Sequence, residues 1–194
     1  QMTGEREHLF DTRLSAAVPD FNTRWLMEGK NECPSEVEVG GRRYLVFGHL
    51  VRTEDGKESS CLATTYWVDV TEFSQLRDEY YATRPVCALL QLDNYDEVFK
   101  GVSDNIKSAM LSDINRRLDE WTAPAQGLFC RTDRDKFVFL FDEQYMPQFL
   151  EKKFDIVDQI REVVNPSGHP ATLTVGVGRD GDSLGELYQF ASLA

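Results

Sequence analysis

Apolar residues recur along the chain in two periods, and the change from one to the other marks out its elements. Residues 1 to about 30 read as helix and loop, with Leu9, Phe10, Leu14, Phe21, Trp25 and Leu26 as the buried side chains. Glu36-Val-Glu-Val39 then alternates polar and apolar into Gly40-Gly41, a hairpin signal, and Arg42–Val51 follows as its partner. A second turn at Glu54-Asp-Gly56-Lys57 leads to Cys61–Val68, predicting three antiparallel strands that close on Asp69-Val-Thr-Glu72. From Thr71 to Arg84 the period becomes helical, with Phe73, Leu76 and Tyr80 at spacings of three and four. Asp69 or Thr71 is suited to cap this helix, and Pro85 ends it.

Beyond Pro85 the pattern is strand, helix, hairpin, helix, strand, helix. Val86-Cys-Ala-Leu-Leu-Gln-Leu-Asp93 is an apolar strand ending in carboxylates, and Ser103 opens a helix whose buried stripe is Ile106, Met110, Ile114, Leu118 and Trp121. Pro124 and Gly127 break the chain before two strands, Leu128–Thr132 and Lys136–Phe141, joined by the charged residues Asp133-Arg134-Asp135. Phe137, Phe139 and Phe141 line one face of the second strand and Val138 and Leu140 the other, so it belongs inside a sheet covered on both sides. Pro147 fits the first turn of a further helix with Leu150, Phe154, Val157, Ile160 and Val164 as its stripe. A turn cluster at 165–170, a strand at Ala171–Gly178 and a helix opened by Ser183 complete the chain.

Composition narrows the function. With 41% hydrophobic and 28% charged residues the chain is an ordinary globular one, and 194 residues hold one domain or one and part of another. A net charge of −12 disfavours nucleic acid and anionic membrane surfaces, which need clustered Lys and Arg, while leaving room for a nucleotide carried with magnesium. Cys33, Cys61, Cys87 and Cys130 show no metal spacing and read as free thiols; His8, His49 and His169 are scattered. No apolar run reaches the ~18 residues of a membrane span, and no signal peptide is visible.

The hairpin Arg131-Thr-Asp133-Arg134-Asp135-Lys136-Phe137, set after an apolar strand and before another, resembles the GGDEF domain of diguanylate cyclases, whose tip reads Arg-x-Gly-Gly-Asp/Glu-Glu-Phe. Three strands closing on Asp69-Val-Thr-Glu72 before a helix resemble the latter half of a PAS domain. With Gln91-Leu-Asp-Asn-Tyr-Asp96 on the first strand, the whole is similar to the membrane-tethered cyclic-di-AMP phosphodiesterases, which carry PAS, degenerate GGDEF and DHH phosphoesterase domains in that order. The resemblance implies an α+β chain: a partial PAS β-sheet at 1–70, a signalling helix at 71–84, and a palm-like GGDEF domain with a central, antiparallel-containing sheet at 85–194, truncated at its C-terminus. It implies a regulatory region at the cytoplasmic face of the membrane, itself a soluble fragment. A homodimer would form through PAS and helix, and a downstream DHH domain would carry the phosphodiesterase chemistry. In such proteins the connecting helix pairs as a coiled coil; its stripe can equally pack on its own domain.

The same resemblance sets the site. A working cyclase holds two magnesium ions on carboxylates of the first strand and the hairpin. Here the first-strand aspartate falls on Gln91, which brings no charge, and the second on Asp93. The hairpin carboxylate is kept as Asp135. The motif glycines fall on Asp133 and Arg134, the fourth position is Lys136, and the guanine-contacting asparagine falls on Phe99. The feedback motif would fall on Pro124 to Gly127 and is absent. No residue is assigned to catalysis and cyclase activity is excluded. What is left is a relay, or a domain that binds nucleotide through Asp93, Asp133, Asp135 and Lys136 and turns over Mg·ATP weakly, with Asp93 and Asp135 as the metal donors. Against both stands a plain solvated turn with local ion pairs. Haem is possible in an intact PAS domain, but no axial ligand is identified here.

Overall fold

The chain's alternating segments form two antiparallel sheets, each backed by its own core. The computed structural model describes residues 13, 18, 19, 21–55 and 58–194, leaving aside the side chains of 52–60. Leu9, Phe10 and Leu14 lie outside the described residues. Two compact units divide the chain, Gln1–Asp78 and Glu79–Ala194.

In the first unit a short helix α1 (Arg24–Met27) precedes β1 (Val37–Val39), β2 (Arg42–Asp55) and β3 (Glu58–Asp69), in the order β1-β2-β3. Gly40 and Gly41 both take positive φ, so the β1–β2 turn uses the conformation that glycine supplies without strain. The β2–β3 ladder runs from Tyr44 opposite Asp69 to Asp55 opposite Glu58. Tyr44 and Val46 on one face are buried with Val18, Phe21, Trp25, Leu26 and Val37. Trp67 joins them at 4.8 Å from the Phe21 ring. On the other face Leu62, Tyr66 and Val68 are exposed.

Helix α2 (Thr71–Ala82) follows. Asp69 starts it by accepting from the Thr71 N–H at 3.0 Å, while the Thr71 hydroxyl accepts instead from the Arg43 N–H at 2.9 Å. Polar bonds fasten the helix: buried Ser74 donates to Glu36 at 3.0 Å, Arg77 donates to Glu36 at 2.6 Å, and Arg43 pairs with Asp78. The Arg77 hydrogen bond holds the Glu36 carboxyl below the ordinary carboxylate range. The apolar stripe is left in solvent, with Phe73, Leu76 and Tyr80 66%, 67% and 63% exposed.

The second unit is a four-stranded sheet of β4 (Pro85–Leu92), β5 (Leu128–Arg131), β6 (Lys136–Asp142) and β7 (Leu173–Gly178), ordered β5-β6-β4-β7 and antiparallel throughout. Helix α3 (Tyr95–Val98) follows β4, and α4 (Asp104–Thr122), α5 (Met146–Glu151) and α6 (Ile156–Arg161) supply the main core. Ile114, Leu118, Ile156 and Ile160 meet Val86, Ala88, Leu90, Phe137, Phe139 and Phe141 there. The opposite face carries α7 (Leu184–Leu193), whose Leu187 and Ala191 lie on Cys87 and Leu89, with Val138 and Leu140 half-buried. Gly176 and Gly178 permit this packing, because a Cβ on either would overlap a carbonyl oxygen of α7, at Ala191 and Leu187 respectively. All four cysteines are free, Cys87 buried and Cys130 exposed on the edge strand.

Three local expectations are corrected. The helix expected from Pro147 is two helices, because Lys153 and Phe154 both take positive φ (52° each) and reset the phase. The buried set is then Met146, Phe149, Ile156, Ile160 and Val163, while Leu150 and Val164 are exposed. Ile106 is 41% exposed, one turn before α4 reaches the sheet. Ser103 is extended at the N-cap of α4 but makes no side-chain capping bond, unlike Ser183, which accepts from the Glu186 N–H at 3.2 Å.

Candidate functional site

The end of β4 and the tip of the β5–β6 hairpin are brought together by the ladder. Gln91 stands opposite Lys136, and one residue further the Leu92 N–H donates to the Asp135 carbonyl at 2.8 Å. Asp93 therefore leaves the sheet beside Asp135. Their carboxylates do not converge: Asp93 Oδ2 accepts from the Thr174 hydroxyl at 3.0 Å, on β7, the strand on the far side of β4 from Asp135. Among the described residues no three His, Cys, Asp or Glu side chains are grouped to hold a metal ion. The residues fit no resident cation. Magnesium arriving on nucleotide phosphates is a lighter demand, met by one or two carboxylates.

The tip itself is closed. Thr132 and Asp133 N–H groups both donate to the Lys136 carbonyl, at 2.9 and 3.2 Å. Asp133 Oδ1 accepts from the Arg134 N–H at 2.7 Å, and Arg131 donates to the carbonyls of Asp133, at 2.9 Å, and of Arg134. Residues 132–136 avoid positive φ, so the side chains at the two glycine positions of the resembled motif are accommodated without left-handed strain. The amides that a glycine tip would aim at phosphate are thereby spent within the turn.

Side chains cross the gap instead. Arg134 reaches from the tip to Asp96, at 3.0 Å, and its guanidinium lies 5.4 Å from the Tyr95 ring centroid. Lys107 approaches the same ring at 5.4 Å. Phe99 is buried and packs on Tyr95 with centroids 4.8 Å apart, so an aromatic fills the position of the resembled asparagine. Asn94 is also committed, donating to the Pro170 carbonyl at 2.8 Å and accepting from the Thr172 N–H at 2.9 Å. Buried Asn165 donates to the Val98 carbonyl at 2.9 Å. These two asparagines fix the segment after β4 against the 165–172 loop.

Of the residues expected at the site, Asp93, Asp133, Asp135 and Lys136 all lie at this edge. Asp133 is used by the turn, and Lys136 is half-buried opposite Gln91. Sequence reasoning quoted Asn94, Tyr95 and Asp96 as part of the Gln91–Asp96 run and Asn165 as part of a turn cluster, but assigned none of them to the site. The turn signal Asn165-Pro-Ser-Gly was the clue to Asn165, since Asx side chains in such clusters bond nearby backbone.

Known proteins match this frame. The family model described as cyclic-di-AMP phosphodiesterase GdpP-like, GGDEF domain, matches residues 90–194. The chain is 39% identical over 127 residues to the cyclic-di-AMP phosphodiesterase GdpP of Geobacillus thermodenitrificans, covering 65% of this chain and 19% of that protein. It is 33% identical over 129 residues to the cyclic-di-AMP phosphodiesterase PdeA of Listeria monocytogenes, covering 66% and 19%. The chain thus spans about a fifth of the length of these relatives. Among solved structures, the active GGEEF domain of a diguanylate cyclase from Vibrio cholerae aligns with a TM-score of 0.46 at 15% identity, over 63% of this chain and 80% of that one. On the family match, which takes in the hairpin, the end of β4 and all that follows, the chain belongs to the cyclic-di-AMP phosphodiesterase GdpP-like GGDEF domain family.

Proposed function

We propose that this chain is the regulatory region of a cyclic-di-AMP phosphodiesterase, in which a PAS-like sheet passes its state through α2 to a GGDEF-like domain without cyclase chemistry. The hydrolytic DHH domain and the membrane anchor would lie elsewhere in the parent protein, with this region on the cytoplasmic side. The observation that carries the relay is the exposed stripe on α2. Phe73, Leu76 and Tyr80 follow heptad a/d spacing and stand in solvent, while polar bonds from Ser74 and Arg77 occupy another side of the helix. A second copy of the chain is the partner that such a stripe fits. Sedimentation velocity tests this: the chain runs as a dimer whose population rises with concentration, and Leu76→Glu returns it to monomer. A wild-type chain that stays monomeric at high concentration refutes the relay through α2.

A second reading is favoured by the adjacency of Asp93 and Asp135. Here the domain would hold a nucleotide at the hairpin edge, with magnesium carried in on the phosphates and one or the other of those carboxylates as its protein donor. Bound magnesium would neutralise phosphate charge; Gln91, lacking charge, leaves the attacking group unactivated, so turnover is at most weak. Calorimetric titration with Mg·ATP and Mg·GTP tests it, with heat lost in Asp135→Ala. Incubation with GTP and magnesium yields no cyclic dinucleotide.

A further inference from the structure

We infer that Arg134 is the phosphate-reading group of this edge and that Asp96 is its resting counter-ion, an assignment that rests on the nucleotide reading above. The closed tip leads there. The amides of Thr132, Asp133 and Arg134 are all engaged within the turn, which shifts the reading of phosphate oxygens toward side chains. Arg131 is spent on the carbonyls of Asp133 and Arg134, with its guanidinium 5.5 Å from the Phe137 ring centroid. Lys136 is half-buried on the sheet. Arg134 differs: it extends from the tip across to α3, and its side chain is 60% exposed.

Its present partner is easily exchanged. Asp96 is 73% exposed, and the two side chains share a single hydrogen bond at 3.0 Å. An ion pair so open to water contributes little and is readily given up. A polyphosphate offers the same guanidinium more charge and bidentate geometry. Tyr95 supplies the platform: its ring sits under Arg134 and within reach of Lys107, so the guanidinium keeps one flat contact while its N–H groups turn from carboxylate to phosphate. Binding at this edge is then an exchange of ion partners, with Asp96 competing against the ligand. The fixed backbone of the tip, held by Arg131, keeps Arg134 at the mouth of the Asp93–Asp135 edge throughout.

The test is calorimetric titration of the whole chain with Mg·ATP in four forms: wild type, Asp96→Asn, Arg134→Ala and the double variant. Removing the competitor is expected to tighten binding in Asp96→Asn by severalfold. Arg134→Ala is expected to weaken it roughly tenfold or more, the scale of one hydrogen bond to a charged group. In the double variant the gain from Asp96→Asn disappears, because its effect runs through Arg134. Wild-type binding that stays within about twofold in all three variants overturns the Arg134 assignment alone and leaves the nucleotide reading standing. Absence of heat in both wild type and Asp96→Asn overturns both.

Discussion

At the scale of single residues, the glycines of β7 have the sharpest consequence. Gly176 and Gly178 let the backbone of α7 lie against the strand, and no rotamer relieves a Cβ that meets a carbonyl oxygen. Gly178→Ala is therefore expected to cost about 3 kcal/mol or more, beyond the usual penalty of an overpacked core, read as a lowered urea midpoint. Phe139→Ala, which empties the centre of an aromatic cluster with Phe141 at 4.7 Å and Phe149 at 6.1 Å, is expected to cost about 3–5 kcal/mol. The phenylalanine burial was legible in the sequence from strand alternation, and so was the position of Asp135 at the sheet edge. The Arg134–Asp96 pair was not. The two residues are 38 positions apart, and the angle that joins them depends on how the hairpin twists over α3.

At the scale of elements, carboxylates paired with arginine or threonine link strands and helices, and their pH response has a defined sign. Arg77 beside Glu36, Thr71 beside Asp69, Arg43 beside Asp78 and Arg116 beside Asp113 each hold a carboxyl below its ordinary range. A folded-state pKa below the unfolded one adds stability that is complete above the unfolded values, about 3.9 for Asp and 4.3 for Glu, and fades as pH falls through the folded ones. Thermal midpoints are thus expected to change little from this source between pH 7 and 5 and to drop below about pH 4. Glu36→Gln flattens part of that drop. The break between α5 and α6 offers a second check at this scale. Lys153 is exposed in the left-handed region with no glycine to make it easy, so Lys153→Gly is expected to stabilise by up to about 1 kcal/mol in urea melts. The same feature explains why one continuous helix was expected: neither Gly nor Pro marks the break, and the apolar spacing from Leu150 to Val164 fits an unbroken stripe. Phase is set here by backbone conformation, which side-chain hydrophobicity does not encode.

At the scale of the whole molecule, the separation into an N-terminal sheet, a connecting helix and a C-terminal sheet was legible because periodicity changes at each boundary. Each unit keeps its own core, so residues 83–194 expressed alone are expected to unfold cooperatively, with a far-UV signal from both helix and sheet. An uncooperative melt would refute that independence. Exposure of the α2 stripe was not decidable from sequence, since the same spacing serves an inward or an outward face. The closed hairpin tip bears on how many changes a differently shaped tip would require. Phe137, Phe139 and Phe141 are built into the core, whereas Thr132, Asp133 and Arg134 of the tip are exposed. With Arg131 on the tip carbonyls and Asp133 on the Arg134 amide, a single change to glycine neither frees the remaining amides nor supplies a carboxylate at Gln91. An open tip at this edge is therefore several coordinated substitutions away, and single-site variants are expected to leave the turn closed.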